Sequence, residues 1–273
     1  RRAACEGPAL PSKGEPNVNL DAVAFGVPLR DLLLFFGIGL AAQCVDGALG
    51  MAYKVTSSSL LLSLGVPPAV VSASVHTASI VTSGVSGYAH WRLGNIDYQL
   101  LRRLLLPGII GGVLGGMVLS NLPAESIRPW VAGYLMLLGV FILYRALKGA
   151  HNGHGDVKGV EPVAFFGGLL DAVGGGGWGP IVTTTLVGHG VPPRAAIASV
   201  NAAEFFVSAA IAAVIIVASS PLWPAVAALV AGGTLAAPFA AMATKLLPQS
   251  VLMIAVGVVI IVLSLCTVIA AIV

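Results

Sequence analysis

Charge is what this chain has least of. Its 14 Lys and Arg and 11 Asp and Glu make only 9% of 273 residues, where a soluble globular domain carries about 25%. A water-soluble fold of this size could not cover its surface with so few charges, so most of its outward face must meet lipid. Cysteine is equally scarce: Cys5, Cys44 and Cys266 lie far apart, with no C-x-x-C pair and no His at ligand spacing. They read as unpaired residues, which excludes a disulfide framework and a cysteine metal site. The net charge of +3 is too dispersed for a nucleic-acid face, polar tracts are few, and the 34 glycines have no period of three. Disordered, collagen-like and nucleic-acid-binding classes therefore fall away together. What is abundant is hydrophobic residue: 57% before glycine is counted, against about 45–50% with glycine included in a soluble domain.

The chain divides into a solvated tail over 1–30, a first membrane unit over 31–148, a connection over 149–160 and a second unit over 161–273. Between Leu32 and Trp91 the only formally charged side chains are Asp46 and Lys54, and from Pro162 onward only Asp171, Arg194, Glu204 and Lys245. Breaks at Gly, Pro and polar pairs give five apolar segments per unit: 32–48, 51–65, 67–91, 98–121 and 124–148, then 162–174, 178–190, 192–218, 222–246 and 249–272. The last three of each set have the roughly 20 residues a spanning helix needs. The first two are short, so half-helices or re-entrant segments are expected, broken at Gly47-Ala-Leu-Gly50 and Gly174-Gly-Gly-Gly177. Lipid cannot satisfy the backbone there, and such breaks survive only against protein or a watery cavity.

The units match at one constant offset. Asp46 pairs with Asp171, Gly50 with Gly175, Val66-Pro67-Pro68 with Val191-Pro192-Pro193, Ala73-Ser74-Val75 with Ala198-Ser199-Val200, and Leu122-Pro123 with Leu247-Pro248. This is an internal duplication. If the two short segments form a hairpin, Arg92, Arg102, Arg103, Arg145, Lys148, Lys158, Arg194 and Lys245 gather on one side, as cytoplasmic loops require. The expected fold class is therefore all-α: a polytopic membrane protein of two inverted repeats with broken or re-entrant half-helices.

Such repeats place a binding site where they meet, with helix N-termini aimed at an anion. The N–H groups after Gly50 and Gly177, with Thr56, Ser57, Ser58, Thr183, Thr184 and Thr185, form a donor-rich lining. Gly175, Gly176, Trp178 and Asn201 complete it. The alternative is that these small and hydroxylated residues merely pack helices. Ionisable residues at membrane depth normally face a cavity or a partner, and here they break the repeat symmetry: Lys54 is opposite Gly179, His76 opposite Asn201, Ser79 opposite Glu204. Lys54 and His76 would attract an anion and Glu204 would take up a proton; alternatively Lys54 only neutralises a carboxylate. Asp46 and Asp171, being symmetric, read as caps on the breaks. His151-Asn-Gly-His154 reads as a solvated loop, and Trp91, Tyr98, Trp130, Tyr134 and Trp223 as interfacial aromatics. Gly111-Gly112 and Gly115-Gly116 mark close helix packing, within the subunit or across a homodimer. No metal or cofactor site is expected, and the four glycines follow no strand as a nucleotide loop would.

Laid out in this way, the chain resembles the TauE/SafE family, the sulfite exporters and toluene sulfonate uptake permeases. The likeness rests on Asp46-Gly-Ala-Leu-Gly-Met-Ala-Tyr53, Leu64-Gly-Val-Pro-Pro68, Ser72-Ala-Ser-Val-His-Thr77 and His90-Trp-Arg-Leu-Gly-Asn-Ile-Asp97. The second half adds Asp171-Ala-Val-Gly-Gly-Gly-Gly-Trp-Gly-Pro180 and Ser199-Val-Asn-Ala-Ala-Glu-Phe-Phe206. The resemblance implies a multi-pass permease of the bacterial inner membrane, moving small sulfur-containing anions such as sulfite or sulfoacetate, often outward, with proton or potential coupling. Ser79 stands where members of this subgroup often have Glu, so any role of that Glu falls here to Glu204 alone or is lost. An uncoupled anion channel is the alternative.

Overall fold

A computed structural model describes residues 23–24, 27–49, 51, 53–148, 159–246 and 249–272. Gly50, most of the tail and the His151–His154 loop lie outside the described residues. A two-stranded hairpin, Val23–Ala24 with Val27–Pro28, leads into ten helices among the described residues. The first unit holds α1 (Leu29–Leu49), α2 (Tyr53–Ser63), α3 (Pro68–Arg92), α4 (Tyr98–Asn121) and α5 (Ala124–Lys148). The second holds α6 (Val160–Gly174), α7 (Gly179–Gly188), α8 (Pro193–Ala218), α9 (Trp223–Leu246) and α10 (Gln249–Ile272). This is an all-α polytopic membrane protein.

Local chemistry sets the helix ends. In each Val-Pro-Pro the first Pro is extended and the second opens a helix, because a ring-fixed φ and a missing N–H suit the first helical turn. Asp97 caps α4 by accepting from the N–H groups of Gln99 (2.9 Å) and Leu100 (3.0 Å). Pro68–Arg92, Tyr98–Asn121, Ser126–Lys148 and Pro193–Ala218 are long and apolar enough to cross a membrane. With 24 residues each, α9 and α10 extend about 36 Å. By the same rise, α2, α6 and α7 extend only about 15–22 Å. The first segment departs from the expected shortness: α1 has 21 residues and reaches about 31 Å. Its extra turn contains Arg30 and Asp31, and an acidic residue suits a helix N-terminus.

Apart from the start of α1, the helix ends keep the repeat offset to within a residue, and so does the packing. α1 lies on α9 while α6, the counterpart of α1, lies on α4, the counterpart of α9; α3 lies on α8, and α5 on α10. Single hydrogen bonds obey the same exchange. The Asp97 N–H donates to Ser199 Oγ (3.0 Å), and the equivalent Leu222 N–H donates to Ser74 Oγ (2.8 Å). The two partner-swapped sets enclose two apolar cores, one around Leu61, Leu135 and Leu229, the other around Leu104, Trp178 and Ile211. Apolar side chains also point outward, among them Leu106, Trp130, Leu137 and Val217, a surface suited to lipid rather than water.

Glycine permits the closest crossings. A Cβ on Gly111 would strike the Phe165 carbonyl, and one on Gly168 the Gly108 carbonyl; the α1–α9 crossing repeats this with Gly39 against Leu229 and Gly232 against Phe36. Gly112 and Gly116 face Ile211 and Ile215 of α8. The small-residue spacing of α4 thus serves packing within the subunit. Gly111→Val is expected to destabilise the folded protein by about 1–3 kcal/mol through overpacking, whereas Gly37→Ala, with open space at its Cβ, is neutral or stabilising by about 0.5–1 kcal/mol. Denaturation midpoints in detergent check both; equal effects would mean that the α4–α6 contact is looser than described.

Candidate functional site

The short helices start where α1 and α6 stop, and carboxylates manage both junctions. Asp46 Oδ1 accepts from the Tyr53 N–H (3.1 Å) at the start of α2. Asp171 Oδ1 accepts from the N–H groups of Gly177 (2.7 Å) and Trp178 (3.0 Å) just before α7. Gly175 makes the reversal at the end of α6 with φ 67°, a left-handed conformation that favours a residue without Cβ. α7 opens with a π-helical turn, Gly179–Thr183. The two breaks touch directly: a Cβ on Gly176 would overlap Val55, and Ser58 Oγ donates to the Gly175 carbonyl.

Arginines of α5 hold the far ends. Arg128, near its start, donates to the Leu62 carbonyl (3.0 Å) in the last turn of α2. Arg145, near its end, donates to the Thr184 carbonyl (2.6 Å) of α7. The negative end of the helix dipole favours a cation there, and each carbonyl has a second lone pair to offer: that of Leu62 also accepts from the Gly65 N–H (3.0 Å). These two positions are about 25 Å apart along α5, so α2 and α7 diverge from a shared starting point.

At that point lies a buried ionic cluster. Lys54 Nζ donates to Asp171 Oδ2 and pairs with Glu204 Oε1 at 2.9 Å. His76 Nε2 lies 3.1 Å from Asp171 Oδ2, and its Nδ1 lies 2.8 Å from the Ser72 carbonyl. Ser72 Oγ donates to the Ala172 carbonyl (2.7 Å). Lys54, Asp171, His76 and Glu204 are 4%, 0%, 0% and 7% exposed, so water does not screen their charges. Breaking such a pair leaves an uncompensated charge behind. His76 and Glu204 sit near the middles of α3 and α8, which places the cluster at mid-depth. Asp46, Met51, Lys54, Val55, Gly176, Gly179, Pro180 and Glu204 line a small cavity with about 10 Å³ in which the centre of a water molecule can move, on the order of one water's worth.

The geometry gathers Asp46, Lys54, Ser58, His76, Asp171, Gly175, Gly176 and Glu204, and disperses the rest. The N–H groups of Gly177 and Trp178, read from sequence as open to an anion, are taken by Asp171, because a donor in a dry interior needs an acceptor and a carboxylate is a strong one. Trp178 is fully buried, its indole N–H donating to the Val200 carbonyl (3.2 Å) and its ring against Gly108 and Gly167. It fills the core rather than the cavity. Thr184 and Thr185 donate back to the carbonyls of Pro180 and Ile181, as hydroxyls in apolar helices do, and Thr183 is buried away from the cavity lining. The hydroxyls of Thr56 and Ser57 are buried without a hydrogen-bond partner among the described residues. Asn201 lies one turn from Glu204, donating to Ser86 Oγ (2.9 Å).

Tyr134 corrects another expectation. Trp91, Tyr98, Trp130 and Trp223 are exposed near helix ends, but the Tyr134 hydroxyl is buried against Gly174 and Gly177. Arg128 and Arg145 carried no site role in the sequence reading. Their place inside the apolar segment 124–148, one near each end, was the available signal.

Helices of spanning length, lipid-suited outer faces and a charged cluster held at their middles define a polytopic membrane protein built around a buried polar centre. The chain belongs to the sulfite exporter TauE/SafE family, whose model matches residues 35–267. It is 40% identical over 233 residues, 81% of this chain and 77% of the relative, to a Bacillus subtilis (strain 168) protein named probable membrane transporter protein YtnM. No solved structure matches. The chain is thus a membrane transporter rather than an enzyme, a multi-pass protein of the bacterial plasma membrane.

Removing the shared acceptor should be far more damaging than removing the peripheral cap. Asp171→Ala is expected to lower stability by about 3–5 kcal/mol, because it leaves the Gly177 and Trp178 N–H groups without their acceptor and Lys54 with Glu204 as its remaining carboxylate. Asp46→Ala, at a half-buried cap, should lower it by about 0.5–2 kcal/mol. Chemical denaturation in detergent measures the difference, and comparable losses would deny Asp171 its central place.

Proposed function

We propose that this protein is a secondary transporter of small sulfur-containing anions, sulfite or organosulfonates such as sulfoacetate. It works by alternating access of two inverted repeats around the Lys54 cluster. The family supports the substrate class. The course of paired helices supports the inversion. Ser79 meets Ser208 and Ser86 meets Asn201, so α3 and α8 run antiparallel, and Gly139 against Ile261 with Leu143 against Gly257 gives α5 and α10 the same opposition. The divergence of α2 and α7 toward opposite ends of α5 fits the same symmetry.

The observation that carries the mechanism is one buried lysine shared by two carboxylates of unequal standing. Asp171 is fixed by two backbone N–H groups and faces His76. Glu204 has Lys54 as its ion-pair partner among the described residues, and is the one that can let go. An oxyanion must compete with Glu204 for the Lys54 ammonium, and protonating Glu204 removes that competitor. Proton and anion therefore favour the same state, which couples them by linkage. The one-water cavity corresponds to a contracted state, and binding requires the half-helix junctions to separate. Lys54, His76 and the hydroxyls of Thr56, Ser57 and Ser58 are the donors on the first repeat, with Gly176 leaving room on the second.

Counterflow in proteoliposomes tests this reading, with labelled sulfite outside and unlabelled sulfite within. Wild type should exchange, and Lys54→Ala should exchange at least about tenfold less, as truncating a buried charge-pair member does. Glu204→Gln should still exchange yet lose accumulation driven by a pH gradient. Neither sulfite nor organosulfonate movement under any gradient, or voltage-scaled conductance unaffected by Glu204→Gln, would overturn it.

A further inference from the structure

The mechanism so far uses nothing on α3 beyond His76, yet polar residues continue along one stripe of that helix. Ser72, His76, Ser79, Ser83, Ser86 and His90 recur at alternating spacings of four and three, which keeps them on one face. That face lies against α8, which contributes Ser208, Glu204 and Asn201 at the same spacings in the opposite direction. Contacts link the two. Lys54 Nζ is 3.5 Å from Ser208 Oγ, Ser208 Oγ is 3.4 Å from Ser79 Oγ, and Ser79 Oγ is 3.0 Å from Ser83 Oγ. One turn further, Asn201 Nδ2 bonds Ser86 Oγ, and the Asn201 side-chain oxygen is buried with no hydrogen-bond partner among the described residues. The stripe ends at half-buried His90, whose Nδ1 meets Asn95 (3.3 Å), beside exposed Arg92 and Arg194.

Packing alone would use alanine here, as it does at Ala202, and an unpartnered amide oxygen calls for an exchangeable donor. The seam is also too tight for a solute: a Cβ on Gly87 would lie 3.3 Å from Ala202 Cα, and one on Gly84 3.1 Å from Phe205. An anion could pass only if α3 and α8 parted. A proton needs no such room.

We propose that the α3–α8 seam is a proton path joining Glu204 to the membrane face that carries Arg92 and Arg194, with Ser83, Ser79 and Ser208 as relays. It rests on the transporter reading above. A proton reaching Ser83 from the His90 end shifts onward through Ser79 and Ser208 as each hydroxyl accepts one hydrogen and gives up its own. Lys54 passes one N–H proton to a Glu204 carboxylate oxygen and regains one through Ser208. The net change is one proton taken from solution and one added to Glu204. The charged groups around Glu204 are Lys54 from α2, Asp171 from α6, Asp46 from α1 and His76 from α3, so one cation already sits between the path and its terminus.

The test uses the full chain in proteoliposomes, comparing wild type, Ser79→Ala/Ser83→Ala, Ser83→Ala and Ser83→Thr. Sulfite counterflow needs no net proton delivery, while accumulation under a pH gradient does. The double variant should keep counterflow within about twofold and lose gradient-driven accumulation by at least about tenfold, a threshold well below the roughly 10²–10⁴-fold that a positioned proton-transfer group contributes. Ser83→Ala should show the same split more weakly, and Ser83→Thr should restore coupling. Full gradient-driven accumulation in the double variant would overturn the path while leaving the transporter reading intact. If the double variant loses counterflow as well, the single variant decides: parallel loss of both activities in Ser83→Ala overturns the path. Wild type without counterflow overturns the transporter reading on which it stands.

Discussion

A lysine ammonium at the middle of a membrane protein must be neutralised by the protein itself, because neither lipid nor a dry core will hydrate it. The arrangement around Lys54 follows from that demand. Its partners come from α6 and α8, so the charge ties the second repeat to the first. Asp171 does two jobs with two oxygens. One accepts the backbone donors exposed by the glycine break, and the other accepts Lys54 and faces His76. Losing the aspartate would leave the Gly177 and Trp178 N–H groups unsatisfied and Lys54 with Glu204 as its remaining carboxylate.

The same accounting explains why short helices can exist at this depth. A half-helix presents free donors at one end and free acceptors at the other, and lipid satisfies neither. Here carboxylates from the preceding helices serve the N-termini, and two arginines of a single spanning helix serve the C-termini. α5 therefore acts as a strut whose ends fix where α2 and α7 point. Its middle, through Tyr134, abuts the glycine break.

Symmetry supplies the scaffold, and departures from symmetry supply the chemistry. The swapped helix pairs, the matched glycine crossings and the paired Asp97–Ser199 and Leu222–Ser74 bonds are what a duplicated frame produces. The polar centre has no such balance. Lys54 faces the place where its counterpart is Gly179, Glu204 stands opposite Ser79, and the pocket that Tyr53 shares with Gln43 and Thr82 is filled on the other side by Trp178 against Val207. The ionic cluster thus lies where the halves differ.

Much of the frame was legible in the residues. The spacing of apolar segments, the Val-Pro-Pro helix starts and the constant offset between units are local or periodic properties, so ten segments and their pairing follow from the chain alone. Rare charges in an apolar background likewise mark Lys54, Asp171 and Glu204, because their solvation demand does not depend on the fold. Which carboxylate pairs with the lysine, whether the N–H groups after the glycines are open, and that Trp178 turns into the core while Tyr134 turns toward the break were decided by tertiary structure alone. The lysine's pairing depends on residues more than a hundred positions apart, and the other outcomes depend on how the chain turns at the glycine break and packs there against α4, α5 and α8.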